Sequence, residues 1–92
     1  DDKSFYRKLS PGVYLFEGKT SIGDFTKVLD LDDDTFEELQ GDADSMAGLL
    51  LELKGEFPVL HEKLSYKNFL FEVMAIENLR ISKIKVTIQD EK

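Results

Sequence analysis

The sequence predicts an α+β fold in which a mostly antiparallel sheet packs against two short helices. Two segments carry apolar side chains at helical spacing, and in the last third of the chain apolar and polar residues alternate. With 92 residues the chain is long enough for one small domain with a modest core. A disordered tail is excluded because 41% of the residues are hydrophobic and 11% are aromatic.

The charge of the chain excludes several classes of partner. Twelve Lys and Arg oppose 19 Asp and Glu, giving a net charge of −7, and the whole acidic surplus lies in residues 1–46. An acidic surface repels phosphate backbones and anionic lipid head groups, so we expect no nucleic-acid partner. The longest apolar stretch, Met46 to Leu51, is far shorter than the roughly 20 residues of a membrane span, so we expect no direct membrane insertion.

The ends of the chain suggest a piece of a longer protein. The chain starts Asp1-Asp2-Lys3-Ser4, without an apolar signal segment, and residues 1–10 are mostly polar. We interpret residues 1–10 as a linker from the preceding part of a parent protein, 11–89 as the domain and 90–92 as a tail. Absence of cysteine excludes disulfides and thiolate metal sites and fits a reducing compartment.

The first predicted elements are a strand and a short helix. Val13 to Glu17 is rich in β-branched and aromatic residues and is bounded by Gly12 and Gly18, which predicts a strand. Thr20 or Ser21 then caps a helix, and an acid three residues after Ser21 approximates a capping box. The inward face of this helix has the spacing i, i+3, i+7, with Ile22, Phe25 and Leu29.

Residues 30–44, here called the acidic segment, carry eight carboxylates in fifteen positions. We expect an exposed loop anchored by Leu31, Phe36 and Leu39, with one helical turn at 35–39. Asp30, Asp32 and Asp34 match the first three ligand positions of an EF-hand. The sixth position is Thr35 instead of Gly, and the twelfth is Gly41 instead of Glu. A solvated loop is therefore favoured, and these three aspartates are only weak candidates for binding a divalent cation.

The best-marked helix is predicted over 45–54. Asp44 is the expected N-cap, Gly55 ends the helix, and Pro58 cannot continue it. One face is apolar at i, i+3, i+4, i+7, with Met46, Leu49, Leu50 and Leu53. Because Ala47 and Leu51 extend the apolar surface nearly all round, we expect this helix to be more buried than the first. Gly48 predicts close approach of the helix to the sheet or to another chain.

Three strands are predicted after Pro58. Residues 63–66 and 69–76 flank a turn at Lys67-Asn68, and the second strand is apolar on both faces, as expected of a central strand. After a turn at Glu77-Asn78, the last strand spans 80–89. If side chains alternate regularly along this strand, Ile81 lies on the same face as Lys83 and Lys85. Burial of Ile81 with the other apolar residues would need one extra residue in the strand, which predicts a β-bulge near Ser82-Lys83.

The sequence contains no recognisable catalytic set. His61 is the only histidine, no cysteine exists, and no serine has the glycine-flanked spacing of a nucleophile elbow. We interpret His61 as a turn residue. The glycines are too dispersed to cradle a phosphate, so no cofactor-binding residue is assigned.

The segment from Gly41 to Pro58, GDADSMAGLLLELKGEFP, resembles the helix region of the CorC/HlyC transporter-associated domain. Ser45 replaces the usual Thr of that family, and His61 stands where the family commonly has Gly. The paired strands of the family resemble Phe71-Glu72-Val73 and the segment that starts at Arg80. The resemblance covers about residues 10–88 and implies structural roles for seven motif residues: Asp44, Ser45, Gly48, Gly55, Pro58, Phe71 and Val73.

The resemblance also implies a fold and a function. The family fold is a small two-layer α+β sandwich, similar to half of an FAD-binding domain. Such domains lie at the cytoplasmic C-terminus of bacterial membrane proteins that carry CBS repeats and are called hemolysin-like or magnesium/cobalt efflux proteins. The implied function is a non-catalytic regulatory domain of a cation transporter, on the cytoplasmic side of the inner (plasma) membrane. Its implied partners are the CBS repeats and the membrane domain of its own parent chain.

Two alternatives stay open. One is a small-ligand sensor, for an adenine nucleotide or a flavin, which rests only on the likeness of fold because no residue is seen that would fix a flavin. The other is self-association as a homodimer through the helix over 45–54, with Gly48 at a close contact.

Overall fold

One five-stranded antiparallel sheet carries three short helices on one face. The structure is a computed structural model that describes residues 6–32, 34–41 and 43–89, with the side chain of Gln40 excepted. The strands lie in the order β1-β2-β5-β4-β3, so the predicted α+β fold is confirmed. The elements are β1 (Tyr6–Ser10), β2 (Val13–Glu17), α1 (Ile22–Val28), α2 (Glu37–Gln40), α3 (Met46–Lys54), β3 (Lys63–Tyr66), β4 (Phe69–Glu77) and β5 (Arg80–Ile88).

Strand β1 occupies part of the segment that was predicted to be a linker, residues 1–10. Tyr6 pairs with Phe16 in the ladder between β1 and β2, and the two rings stack with centroids 5.6 Å apart. The backbone N–H and C=O groups at the edge of β2 pair with this polar segment, and one aromatic contact fixes the register of β1 against β2. The linker prediction is therefore wrong for residues 6–10, while residues 1–5 and the expected tail 90–92 lie outside the described residues.

Both predicted helices form, with one cap displaced. Ser21 caps α1, its hydroxyl accepting from the Asp24 backbone N–H at 3.0 Å as predicted. For α3 the predicted cap, Asp44, is wrong: Ser45 Oγ accepts from the Gly48 N–H at 3.2 Å. The Asp44 carbonyl accepts instead from the Ile22 N–H, so Asp44 links α3 to α1. Gly55 ends α3 with φ of 86°, as predicted.

The sheet contains the predicted bulge. Val73 pairs with Ile84 and Ala75 with Lys83, but Ile76 pairs with Ile81, so Ser82 has no partner in the register. This extra residue turns Ile81 to the helix face, where it is buried. Strand β4 lies between β3 and β5 and is interior to the sheet, as predicted.

One of the two predicted hairpin turns differs by one residue from the prediction. Glu77 pairs with Arg80, so the β4–β5 turn consists of Asn78 and Leu79, with φ of 54° and 63°, rather than Glu77-Asn78. The β3–β4 turn consists of Lys67 and Asn68, as predicted, with a positive φ at Lys67. The ladder register is the same on both sides of the bulge, because Met74 of β4 and Ser82 of β5 are each left unpaired.

A cluster of aromatic rings forms the core between the layers. Phe25 of α1 meets Phe16 edge-on with centroids 5.0 Å apart. Phe36 is fully buried and lies 5.5 Å from Phe25 and 5.4 Å from Phe69. The expected anchoring of the acidic segment by Phe36 is therefore confirmed, and its predicted helical turn forms as α2.

Helix α3 is more buried than α1, as expected: two of its nine residues are exposed, against three of seven in α1. Met46, Leu49 and Leu50 are buried, but Leu51 is 37% exposed. A Cβ on Gly48 would lie 3.1 Å from the Cβ of Ala43, so the close approach is to the end of the acidic segment and not to the sheet. None of the helices in the described ranges is long and apolar enough to cross a membrane.

Candidate functional site

The main apolar concavity lies between α3 and the β4–β5 hairpin. This α3–hairpin groove has a volume of about 420 Å³ and is lined mostly by apolar surface. Its lining includes the small residues Gly18, Ala47 and Gly48, the exposed apolar side chains Leu51, Phe57 and Leu79, and the cations Lys19 and Arg80. It therefore combines apolar contact surface with two positive charges.

A second, more polar cavity of about 570 Å³ shares Lys19, Arg80 and Ile81 with the groove. Its other lining residues include Glu17, Glu77 and Lys83. The two cavities adjoin at the end of the hairpin, but Glu17 and Lys83 pair one position beyond the buried Phe16–Ile84 pair and so lie on the opposite face of the sheet. The polar cavity has charges of both signs, whereas the charged residues of the groove are both cations.

The segment that follows β2 builds this groove. The Gly18 N–H donates to the Ser82 carbonyl at 2.8 Å, and the Gly18 carbonyl accepts from the Ala47 N–H at 2.9 Å. The Met46 N–H donates to the Thr20 carbonyl at 2.8 Å. Two N–H groups of the first turn of α3 are thus satisfied by the backbone after β2. These bonds hold α3 at the bulged end of β5.

Gly18 is required for this approach. A Cβ at position 18 would lie 2.0 Å from the Ile81 carbonyl oxygen and 2.9 Å from its carbon. Those atoms are backbone and cannot move without breaking the bulge. The closeness of β2, β5 and α3 at the groove therefore depends on the absence of a side chain at residue 18.

An ion pair fixes the loop that carries Phe57. Glu62 accepts a hydrogen bond from the Lys54 ammonium at the end of α3, and its other carboxylate oxygen accepts from the Val59 N–H at 2.9 Å. The hydrogen bond from Lys54 and that from Val59 lower the pKa of Glu62. The same contact with Glu62 raises the pKa of Lys54. Val59 and Leu60 are exposed in this loop.

His61 is a turn residue, as predicted. Its φ is 69°, a conformation that favours glycine, and its backbone N–H donates to the Val73 carbonyl at 2.7 Å. The imidazole is exposed, and Nδ1 lies 3.8 Å from a carboxylate oxygen of Glu72. The structure gives it no contact with a hydroxyl that it could activate.

The acidic segment does not assemble the aspartates expected to bind a cation. Asp32 and Asp34 line a cavity of about 350 Å³ together with Glu37 and Glu38, but Asp30 is not part of it. Lys67 also lines this cavity, and its ammonium donates to the Thr35 carbonyl at 2.9 Å. Among the described residues no three Asp, Glu or His side chains are placed to hold a metal ion. Asp33 and Asp42 lie outside them.

The seven motif residues occupy structural positions. Phe71 and Val73 are fully buried in the core, and Pro58 is buried beyond the end of α3. Asp44, Ser45, Gly48 and Gly55 lie at the ends or on the face of α3 as described above. The groove was not predicted, because its lining comes from four separate segments of the chain. With the turn at Asn78-Leu79, an exposed leucine in a hairpin turn is the local signal that could have indicated it.

The chain is similar to known domains over most of its length. A family model described as "Transporter associated domain", CorC_HlyC, matches residues 7–90. A transporter-associated domain from a CBS domain protein of Porphyromonas gingivalis is 38% identical with a TM-score of 0.86; the match covers 94% of this chain and 99% of that one. A CorC_HlyC domain of a Xylella fastidiosa hemolysin, solved in complex with Mg and Mn, shares the fold at 17% identity, with a TM-score of 0.74 and coverage of 94% and 99%.

Curated relatives are much longer than this chain. The polyamine export protein of Salmonella typhimurium is 30% identical over 79 residues, which are 86% of this chain and 17% of that protein. The polyamine export protein of Escherichia coli K12 matches to the same extent. This chain therefore spans about a sixth of the length of the curated relatives that it matches.

The pH dependence of stability tests the Lys54–Glu62 pair. The lowered pKa of Glu62 adds stability above its ordinary value of 4.5, and this is lost as the pH falls through the folded-state value. The raised pKa of Lys54 adds stability below its ordinary value of 10.5, and this is lost as the pH rises through the folded-state value. Glu62→Gln should therefore lower the free energy of unfolding at neutral pH, lose this effect at low pH, and at high pH lose the part that is due to Lys54.

Urea unfolding from acid to alkaline pH measures this difference. Glu56→Gln is the matched control, since Glu56 is mostly exposed and lies 3.7 Å from Lys54. It should leave the curve nearly unchanged. A Glu62→Gln curve that runs parallel to that of the wild type at every pH would contradict the assignment.

Proposed function

The chain belongs to the CorC/HlyC transporter-associated domain family, and from this membership we propose that it is a non-catalytic regulatory domain of a membrane cation transporter. We place it on the cytoplasmic side of the inner membrane, as part of a longer parent chain. The parent's remaining segments, including CBS repeats and a membrane domain, are its proposed partners. The P. gingivalis relative, described as part of a CBS domain protein, supports this arrangement.

The observation that carries the proposal is the exposed α3–hairpin groove. Leu51, Phe57 and Leu79 present apolar surface to solvent on one side of a small acidic domain. Exposed apolar surface flanked by charge is typical of an interaction site. Two parts of one chain face each other at a high effective concentration. Even a small surface on this domain can therefore act as a regulatory contact with the parent chain to which it is tethered.

The proposed cargo is a small cation with two or more positive charges. The relatives are named polyamine export proteins, and the Xylella domain was solved with Mg and Mn. Polyamines and divalent metal ions share multiple positive charge. In this chain the acidic segment would raise their local concentration through its field, without a formed binding site. Any divalent cation bound there is expected to be weakly held.

A small-ligand sensor is the second candidate function. The specific observation that favours it is the volume of the groove, about 420 Å³, which lies within the range of small-molecule sites. Lys19 and Arg80 would contact the anionic group of an adenine nucleotide or a flavin. Calorimetry of this chain with ATP and with FAD decides the matter, because no heat with either ligand removes the candidate.

Deletion of the domain tests the regulatory role. Removing residues 11–89 from the parent transporter should leave the protein in the membrane but change its efflux of spermidine, Mg²⁺ or Co²⁺, because the domain's contact with the parent is lost. Efflux from loaded cells or vesicles is the measurement, normalised to the amount of transporter in the membrane. Unchanged efflux of all three cations, with unchanged assembly, would overturn the proposal.

Charge neutralisation tests the acidic segment separately. Replacing Asp30, Asp32 and Asp34 together with Asn should weaken the response of transport to cation concentration, because the attractive field is reduced. Asn also tolerates the positive φ of Asp30, so the fold is preserved.

The matched control removes three charges elsewhere. Glu52, Glu56 and Glu77 are exposed and lie outside the acidic segment, and replacing them together with Gln changes the net charge equally. If both triple variants alter transport to the same extent, net charge explains the effect and the acidic segment has no special role. If neither alters it, the segment is an ordinary solvated loop.

A further inference from the structure

The face of the sheet opposite the helices, here called the open face, has no helix over it in the described part of the chain. Phe16 and Ile84 point toward the helices, so the residues that alternate with them along β2 and β5 point the other way. One row of paired residues crosses the open face from edge to edge: Arg7, Leu15, Lys85, Glu72 and Lys63. With neighbouring strands about 4.8 Å apart, the row is about 19 Å long.

Strands β2 and β4 carry apolar side chains on the open face as well as on the helix face. Val13 and Leu15 of β2 and Leu70 and Ala75 of β4 lie on the open face, and all four are half-buried. A sheet with one solvated face is normally polar on that face, whereas strands that are apolar on both faces are typical of a sheet covered on both sides. The pattern therefore indicates that a further layer covers the open face.

The open face is positive although the chain as a whole is acidic. It carries four cations and two carboxylates: Arg7, Lys63, Lys83 and Lys85 against Glu17 and Glu72. Its net charge is therefore +2, whereas the whole chain has a net charge of −7. A partner of the open face should accordingly be negative.

The carboxylates of the open face leave its cations unpaired. Glu17 lies 3.7 Å from Lys19, and Glu72 lies 3.8 Å from Nδ1 of His61. None of the four cations of the open face forms an ion pair with a carboxylate of the described residues. Their charges are thus available to carboxylates from another segment.

Two of these cations lie at the centre of the open face. Strand β5 is the middle strand of the sheet, and Lys83 and Lys85 alternate with its buried residues. Both lysines are half-buried, between the apolar side chains of β2 and β4. A partly desolvated ammonium interacts more strongly with a carboxylate than a fully exposed one does. The centre of the open face therefore offers apolar contact and positive charge side by side.

We propose that the open face binds an acidic amphipathic segment of polypeptide. The apolar side chains of the segment cover Leu15 and Leu70, and its carboxylates meet Lys83 and Lys85. The proposal goes beyond the regulatory role described above, because the open face lies on the other side of the sheet from the α3–hairpin groove. It does not depend on transport and is tested on the 92-residue chain.

The shape and charge of the domain favour a polypeptide segment over a lipid surface. Binding at a membrane interface requires apolar side chains that enter the boundary between head groups and acyl chains. Leu15 and Leu70 are half-buried within the sheet face and do not project from it. The net charge of −7 also opposes the approach of the whole domain to anionic head groups. A single segment, in contrast, meets only the positive face.

Titration with an acidic amphipathic peptide tests the proposal. The probe is a helical peptide of about 14 residues built from Leu and Glu, which is about 21 Å long and so matches the width of the open face. In NMR spectra at low salt, the backbone amides of Leu15, Leu70 and Lys85 should shift, with a dissociation constant of roughly 10–100 μM. No shifts at these residues up to about 1 mM peptide, or shifts confined to the α3–hairpin groove, would overturn the proposal.

Two altered peptides separate the role of charge from that of apolar contact. Gln in place of Glu removes the carboxylates, and Ser in place of Leu removes the apolar side chains. Each altered peptide should bind at least about tenfold more weakly than the probe. Unchanged affinity of either peptide would contradict an acidic amphipathic partner.

A double variant tests the two central lysines. Lys83→Gln combined with Lys85→Gln should weaken binding of the probe about tenfold. Lys8→Gln combined with Lys27→Gln is the matched control, because both lysines are exposed and lie away from the open face, Lys8 opposite Tyr14 and Lys27 on α1. The control should change the affinity by less than about twofold. Urea unfolding of both double variants at the wild-type midpoint excludes misfolding as the cause. Equal weakening in the two would overturn the proposal, because net charge would explain it.

Vesicles of phosphatidylcholine and phosphatidylglycerol test the alternative occupant. The wild-type chain should stay in the supernatant when such vesicles are sedimented. Cosedimentation that Lys83→Gln combined with Lys85→Gln abolishes would overturn the proposal in favour of a lipid surface.

Discussion

The contact between Gly18 and the backbone of Ile81 is the constraint on which the groove depends. It brings the end of β2 against the bulged strand β5, where the Gly18 N–H bonds to the Ser82 carbonyl. The Gly18 carbonyl then accepts from the first turn of α3. One missing side chain thus joins the sheet to a helix through backbone hydrogen bonds. The α3–hairpin groove follows from that junction, because three of the four segments that line it meet there.

The domain has two surfaces with different chemistry, the acidic segment and the α3–hairpin groove. Phe36 anchors the acidic segment to the core between Phe25 and Phe69, while the carboxylates of its described residues are exposed and form no metal site with three ligands. The groove presents apolar side chains and cations instead. In the proposed regulatory role, the acidic surface would attract small cations by its field and the groove would make the protein contacts.

Local signals in the sequence predicted most elements, whereas contacts between distant segments escaped prediction. Capping by Ser21, the end of α3 at Gly55 and the bulge at Ser82 each depend on a few neighbouring residues. Strand β1 pairs with β2 and stacks Tyr6 on Phe16, and Ser45 replaces Asp44 as the cap while the Asp44 carbonyl bonds to α1. The groove combines four segments, and no periodicity in any one of them reveals it.

A single added methyl group tests the central constraint most directly. Gly18→Ala places a Cβ 2.0 Å from the Ile81 carbonyl oxygen, while Gly23→Ala, in α1, meets nothing closer than 4.0 Å. Urea unfolding should show Gly18→Ala losing about 3 kcal/mol of unfolding free energy or failing to fold. Gly23→Ala should gain up to about 1 kcal/mol. A Gly18→Ala domain as stable as the wild type would contradict the account.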